Sequence, residues 1–187
     1  MFKIIVISLL FVMVSPMAYA DYGTTGIRLT NDPQFCYMTE DITLQTLSFI
    51  TLYQWEKELI LNDPNKKWGM EIKYIDTQNW TECDVIIQFV DNSTNPLDLG
   101  KTDLNEKEAL ISIALYNENK KLPTGDLYNI ILHELGHSMG LGHYNSGIPN
   151  DPTSVMSPQF EPFKSIKLTI MSIDVNKLSG LYTEGFQ

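Results

Sequence analysis

The spacing of apolar residues predicts two long helices and one short one. The first begins after Thr39-Glu40-Asp41, which supplies a capping hydroxyl and acidic groups, and ends near Ile60. Its apolar positions recur close to the helical spacing, so we expect these residues to face the core: Leu44, Leu47, Ile50, Tyr53 and Leu59. The second helix is predicted from about residue 126 to 139, and the short one from about Asp174 to Tyr182.

Four apolar or alternating segments predict strands, at residues 34–38, 71–76, 84–90 and 109–115. Residues 91–104 are polar, with Asn, Asp, Pro and Gly, and are predicted to form a connection. The order is strand, helix, strand, strand, strand, helix. This order predicts an α+β (mixed α/β) fold, in which helices pack on a mixed sheet.

The N-terminal segment is typical of a secretory signal peptide. Met1-Phe2-Lys3 is a short basic start, residues 4–14 form an apolar run that contains one polar residue, Ser8, and Ala18-Tyr19-Ala20 supplies small residues for cleavage. The run is short for a membrane span, which needs about 20 apolar residues. We therefore expect residues 1–20 to be removed and the protein to be secreted, with an uncleaved N-terminal anchor as the alternative.

Length and composition predict one domain, residues 21–187. The chain has 187 residues, of which 43% are hydrophobic and 19% charged, as in ordinary globular proteins. The net charge of −10 argues against nucleic-acid binding, which needs a basic face. No second apolar segment of spanning length follows the signal segment, and we expect a monomer.

The two cysteines and two sequons become interpretable once export is assumed. In an oxidising compartment, a disulfide between Cys36 and Cys83 is the expected state. Two alternatives remain, namely buried free thiols or a Cys36 thiolate that caps a metal. Asn79 and Asn92 each begin an N-x-S/T pattern and could carry glycans.

The chemistry is concentrated in residues 133–143, which read HELGHSMGLGH. His133 and His137 are four residues apart, so on a helix they share one face and can bind one zinc ion. Gly140 can adopt the left-handed conformation that ends a helix, which would return His143 as a third ligand. Three histidines leave a fourth position for water, as in catalytic zinc sites.

Glu134 lies beside the first predicted ligand, where its carboxylate can hydrogen-bond a zinc-activated water. Such a group takes a proton as the water attacks a carbonyl and later delivers it to the leaving amine. The chain contains three histidines, and all of them belong to this motif. A chance arrangement of these five positions is therefore a poor explanation.

The extended motif resembles that of the metzincin zinc peptidases, H-E-x-x-H-x-x-G-x-x-H followed by a methionine turn. The turn would be Ser154-Val155-Met156-Ser157-Pro158, with Met156 beneath the histidines as a support. The form of the motif is similar to that of the matrixins, and residues 174–182 are similar to their last helix. The resemblance implies that Asp174 anchors the methionine turn or the mature N-terminus.

The resemblance also implies an architecture. It predicts a twisted, mostly parallel sheet with two long helices in an upper part (about 21–143), and a lower subdomain (about 144–187) with one helix. An extended substrate would add to the strand 109–115 as the sheet edge, and residues 157–163 would form the lower pocket wall. Phe160 and Phe163 suggest that this pocket is apolar.

Metal binding beyond one catalytic zinc is not assigned. No histidine remains for a structural zinc. Family calcium sites could survive among a few acidic residues, but a solvated loop explains these equally well: Asp91, Asp98, Asp103 and Glu106.

These observations predict a secreted zinc endopeptidase that hydrolyses peptide bonds in extended protein or peptide substrates. A rival from another class is a zinc-stabilised binding or adhesion module. A third interpretation is a peptidase dedicated to cell-surface proteins. Glu134 separates enzyme from binding module, because zinc binding does not need it and peptide hydrolysis does.

Overall fold

The computed structural model describes residues 22–25, 28–29, 33–76, 80–92, 98–105, 108–144, 153–158 and 160–186. The predicted signal segment and Asn79 lie outside them. The elements are β1 (Tyr22–Thr24), β2 (Gln34–Met38), α1 (Ile42–Asn62), β3 (Glu71–Tyr74), β4 (Val85–Asn92), β5 (Gly100–Leu104), β6 (Ala109–Asn117), β7 (Lys120–Lys121), α2 (Thr124–Ser138), β8 (Leu141–Tyr144) and α3 (Ser172–Leu181).

The main sheet is mixed, as the order of elements predicts. Its strands lie in the order β3-β2-β4-β6-β5, and β7 pairs with the end of β6. The strands β3, β2, β4 and β6 run parallel, while β5 and β7 are antiparallel to β6. In a separate two-stranded sheet, β1 pairs with β8. The α+β expectation is confirmed.

The prediction that residues 109–115 form the sheet edge is wrong. β6 lies between β4 and β5, so β5 is the edge strand on that side. The apolar run of β6 fits an interior strand, since its Ile111 and Ile113 are fully buried. β5 lies within residues 91–104, which were predicted to form a polar connection. The prediction missed this strand because its sequence, GKTDL, carries few apolar residues.

The core lies between one face of the sheet and the helices α1 and α2. Val85 and Ile87 of β4 belong to this core, whereas the intervening Ile86 packs on the opposite face. Trp55 of α1 is fully buried and donates its indole N–H to the carbonyl of Leu132 in α2, at 2.9 Å. This bond fixes the two long helices against each other one residue before His133.

The opposite face of the sheet carries a disulfide between Cys36 and Cys83, with a Cα–Cα distance of 6.0 Å. Both cysteines are buried, beside Ile75 and Ile86. The bond connects β2 to the residues just before β4, across 47 positions of sequence that include α1.

Helix α1 is apolar on more than one face. Its N-cap is Asp41, whose carboxylate accepts the backbone N–H of Thr43 at 2.7 Å. Leu44, Leu47 and Leu59 are buried as predicted. Ile50 and Tyr53 were expected in the core and are exposed instead; the buried face is completed by Ser48, Thr51, Leu52 and Trp55.

Among the described residues, no helix combines the length and the apolar character that crossing a bilayer requires.

Candidate active site

Helix α2 carries His133, Glu134 and His137 of the motif. The chain reverses after this helix and thereby brings in His143. The helix ends at Ser138, and Gly140 follows with φ of 108°. A residue with a Cβ would be strained at this φ, so glycine allows the reversal. Strand β8 then places His143 beside His133 and His137.

The three imidazoles converge on one point. The Nε2 atom of His133 lies 3.0 Å from that of His137 and 3.0 Å from that of His143, and the remaining pair is 3.1 Å apart. Ligand atoms placed tetrahedrally at 2.0–2.1 Å from one ion are about 3.3 Å apart. The triangle of nitrogens therefore fits a zinc ion.

Backbone carbonyls orient two of the rings. Nδ1 of His133 donates to the carbonyl of Val155 at 2.5 Å, and Nδ1 of His137 donates to that of Leu141 at 2.7 Å. These bonds place the protons on Nδ1 and leave the Nε2 lone pairs for a metal. Burial lowers the pKa of His133 to about 3, with a further contribution from His137, and burial lowers the pKa of His137 to about 4. Both rings are thus held in the neutral form that binds zinc.

Within the described part of the chain, this triad is the one group of three or more His, Cys, Asp or Glu side chains close enough to share a metal ion. Asp91, Asp98 and Asp103 form no such group, and Glu106 lies outside the described residues. The structure does not support a calcium site.

Glu134 lies inside the cleft, only 5% exposed. Its Oε2 accepts a hydrogen bond from the hydroxyl of Thr102 in β5 at 2.6 Å. Burial raises the pKa of Glu134 to about 7; the bond from Thr102 opposes this shift, and the charge of Asp98 adds to it. A carboxyl group with a pKa near neutrality can both accept and release a proton.

Met156 lies directly beneath the helical turn that carries the metal-site histidines. It is fully buried, and a Cβ atom at Gly136 would overlap its sulfur. Glycine between His133 and His137 therefore permits the close approach of the methionine. The preceding residue, Val155, supplies the carbonyl that orients His133.

Asp174 is fully buried at the start of α3. Its Oδ2 accepts the backbone N–H of Met171 at 2.7 Å, which caps that helix. Its predicted role as an anchor of the methionine turn or of the mature N-terminus stays a prediction.

A line of polar side chains on α2 binds the backbone of the C-terminal segment. Asp126 accepts the N–H of Phe163 at 2.7 Å, and Asn129 accepts the N–H of Leu168 at 3.0 Å. Asn129 also donates to the carbonyl of Ile166 at 2.5 Å. With His133 these residues occupy positions i, i+3 and i+7, on one helix face. The segment below the cleft is thus fixed to the same helix as the metal site.

The cleft has a volume of about 410 Å³. Its walls come from β5, from α2 and from the segment after Met156, where Ser157, Pro158 and Phe160 contribute. Phe163 does not line it; its ring packs against the core beneath the ammonium group of Lys120, at 3.9 Å. The apolar lower wall predicted from residues 157–163 is thus present at Phe160.

Sequence reasoning missed Thr102, Asn129 and the edge strand that carries Thr102. The sequence of β5 shows no alternation of apolar and polar residues, and its hydroxyl and charged side chains resemble a loop. No local signal identifies Asn129, since its partners are 37 and 39 residues away.

Comparisons with known proteins identify a similar fold and a family. A solved structure titled "Structure of Myroilysin" superposes with a TM-score of 0.50, at 9% identity, and covers 83% of this chain and 82% of that chain. A second myroilysin crystal structure has a TM-score of 0.47 at 10% identity and covers 84% and 86%. A search of curated proteins finds no match. The model of the matrixin peptidase family matches residues 62–183. The chain therefore belongs to the matrixin family of zinc metalloendopeptidases.

Proposed function

We propose that the protein is an exported zinc endopeptidase whose residues 1–20 are removed and whose residues 21–187 form a single catalytic domain. The N-terminal pattern supports export, and the disulfide fits an oxidising compartment. In this proposal the upper part, about 21–143, carries the metal site. The lower part, about 144–187, closes the cleft from below.

One observation carries the proposal: three Nε2 atoms lie 3.0–3.1 Å apart with the Nδ1 atoms of two of the rings bonded to backbone carbonyls. We assign His133, His137 and His143 as the zinc ligands and Met156 as their support. When bound there, zinc would lower the pKa of a water molecule to about 7 and polarise a substrate carbonyl.

Glu134 is the proposed general base. Its carboxylate lies in the cleft and is fixed by Thr102, so it needs no reorientation to receive the proton of the attacking water. The same group then delivers this proton to the amine that leaves. Burial from solvent keeps the proton within the site between the two steps.

The substrate is proposed to bind as an extended peptide along β5. β5 is a sheet edge and its residues Gly100 to Thr102 line the cleft, so an added strand would pass directly over the metal site. Backbone pairing of this kind needs little side-chain specificity. The wall containing Ser157 and Phe160 would receive one substrate side chain beside the scissile bond.

The test is to replace Glu134 with glutamine, which keeps the shape and one acceptor oxygen but cannot take a proton. We expect kcat on a quenched peptide substrate to fall by about 10²–10⁴-fold. Zinc content and the thermal unfolding midpoint should remain those of the wild type, because Glu134 is not assigned as a ligand. A chelated wild-type sample gives the baseline.

A control variant is Glu58→Gln, on the α1 surface away from the cleft, which should retain full activity. If Glu134→Gln kept both its zinc and its peptidase rate, the proposed mechanism would be wrong. A wild-type protein that bound zinc but cleaved no peptide in a broad library would instead support the zinc-stabilised binding module.

A further inference from the structure

The outer face of α1 is unusually apolar for a surface helix. Ile42 is 72% exposed, Phe49 and Tyr53 are each 55% exposed, and Ile60 is 44% exposed. Ile50 at 39% and Leu61 at 68% flank them. We call these six residues the α1 strip. Single exposed apolar residues need no explanation, but a contiguous apolar strip on one helix usually marks an interaction surface.

The strip follows one side of the helix, with the exposed Thr46 and Lys57 between its aromatic centre and its two ends. Ile42, Phe49, Tyr53 and Ile60 lie within about 40° of one another around the axis and extend over about 27 Å. At the centre, the rings of Phe49 and Tyr53 are parallel to within 3°, with centroids 6.4 Å apart. Aromatic side chains are frequent anchors of protein interfaces.

Four strip residues have a spacing that is the same in both directions along the helix, namely Ile42, Phe49, Tyr53 and Ile60. The intervals from Ile42 to Phe49, to Tyr53 and to Ile60 are seven, four and seven residues. If a second helix of the same sequence lies antiparallel, each residue meets a strip residue of the other copy. Ile42 then faces Ile60, and Phe49 faces Tyr53, in both halves of the contact.

We propose that the α1 strip is the docking surface for a second copy of this chain, with the two α1 helices antiparallel about a two-fold axis that passes between Phe49 and Tyr53. A two-fold contact must be self-complementary, and the 7-4-7 spacing meets this requirement. The proposal replaces the monomer expected from composition.

The exposed apolar area approaches that of a standard interface. The four residues that face each other expose roughly 500 Å² per copy, and Ile50 and Leu61 beside them bring the total to roughly 700 Å², against about 800 Å² per partner in a stable interface of standard size. Burying the strip against a second copy would remove it from water.

Charge favours a protein partner over a lipid surface. Between Ile42 and Leu61 the helix has a single cation, Lys57, next to Glu56 and Glu58. Helices that lie on membranes are rich in Lys and Arg on their polar face, where they meet anionic lipids. The chain as a whole is acidic, with a net charge of −10.

Docking through α1 would leave the cleft open. The buried side of α1 packs on α2 through Trp55, and the strip occupies the opposite side of the helix. The peptidase rate per chain should therefore be the same in monomer and dimer, and a failure of this proposal would leave the proposed catalytic function untouched.

The first test measures mass by sedimentation equilibrium on the purified protein over a wide concentration range. The wild type should be a dimer at high concentration. The double variant Phe49→Glu/Tyr53→Glu should raise the dissociation constant by about 100-fold or more, since two central aromatic contacts are lost and like charges oppose each other. Its peptidase rate per chain should be unchanged. The matched control Tyr74→Glu changes another exposed aromatic residue, on β3, and should remain dimeric.

The second test distinguishes the orientation of the helices. Ile42→Cys and Ile60→Cys are prepared separately and oxidised alone or after mixing. An antiparallel pair gives cross-linked dimers in the mixture only, whereas a parallel pair gives them in each separate sample. Cross-linking in the separate samples would overturn the proposal. So would a wild type that stays monomeric at every concentration, a double variant that still dimerises, or a monomer that binds neutral lipid vesicles through this face.

Discussion

The two long helices break the usual distribution of polar and apolar residues in opposite ways. α2 buries polar side chains: Asp126, Asn129, Glu134 and Ser138 are each at most 5% exposed. α1 does the reverse and leaves Ile42, Phe49 and Tyr53 more than half exposed. Both helices pack on the same core, but residues of α2 alone also line the cleft.

Buried polar groups and exposed apolar groups differ in their free-energy cost and in what compensates for it. A buried polar group is costly unless it is hydrogen-bonded, and Asp126, Asn129, Glu134 and Ser138 each have a partner. An exposed apolar group costs less in the folded monomer but gains free energy when covered. The polar side of α2 is explained within the chain, whereas the apolar side of α1 would be covered by the second copy that we propose.

The largest effect is expected from the polar side of α2. Replacing His137 with alanine removes one of three proposed zinc ligands, so zinc content should fall sharply and peptidase activity should fall below detection. Even residues that merely orient a ligand contribute 10–100-fold to metal affinity, as a rule. The measurements are zinc analysis after dialysis and hydrolysis of a peptide substrate.

The control on α1 is Ile60→Ala, which changes an exposed residue that does not line the cleft. It should leave zinc content and activity unchanged. Full zinc binding and activity in His137→Ala would refute the ligand assignment and with it the interpretation of α2.

A smaller effect is expected on stability. Asn129→Ala would leave the N–H of Leu168 and the carbonyl of Ile166 without their side-chain partner, at a cost of about 1–3 kcal/mol in the free energy of unfolding. The comparison variant Tyr53→Ala, studied in dilute solution where self-association does not contribute, should change it by no more than about 0.5 kcal/mol. Urea unfolding measures both.

Equal losses of stability in the two variants would remove the distinction between the helices. A large loss for Tyr53→Ala alone would mean that the α1 strip is packed within the monomer.

The features that the sequence predicted correctly are those whose pattern of residues lies within one segment of the chain. The motif at residues 133–143, strand β2 and both long helices were predicted within a few residues, because their periodicity and spacing lie within one segment. The convergence of His133, His137 and His143 followed from helix geometry and one glycine. The sequence could also predict a disulfide, since it has two cysteines and a signal-like N-terminus.

The rest depended on contacts between distant segments. The partners of Asn129 lie in an irregular segment, whose backbone no pattern predicts. β5 was assigned to a connection and β6 to the edge, because an apolar run identifies a buried strand but not its neighbours. Similarly, Ile50 and Tyr53 fit the helical period of the core as well as that of the outer face, since α1 is apolar on both sides.

The smallest effect is expected from Thr102 in the edge strand β5. It tests whether this strand helps to position the buried polar residues of α2. Thr102→Val keeps the branched shape that β5 needs but removes the hydroxyl that donates to Glu134. We expect kcat to fall by roughly tenfold, because a hydrogen bond to a charged group contributes about 1.5–3 kcal/mol and part of it is regained from water. KM should stay near the wild-type value, because the backbone that would pair with the substrate is unchanged.

Thr102→Ser should restore most of kcat, since serine retains the hydroxyl at the same position, and zinc content should be the same in all variants. Asp103→Asn serves as the control on the same strand, because the Asp103 side chain is exposed and pairs with Lys101 rather than with Glu134. A Thr102→Val enzyme that lost affinity for the substrate at unchanged kcat would show that Thr102 shapes β5 alone. In that case helix α2 alone would position Glu134. The hydrogen bond from Thr102 would then contribute to the structure of β5 and not to the rate of peptide hydrolysis.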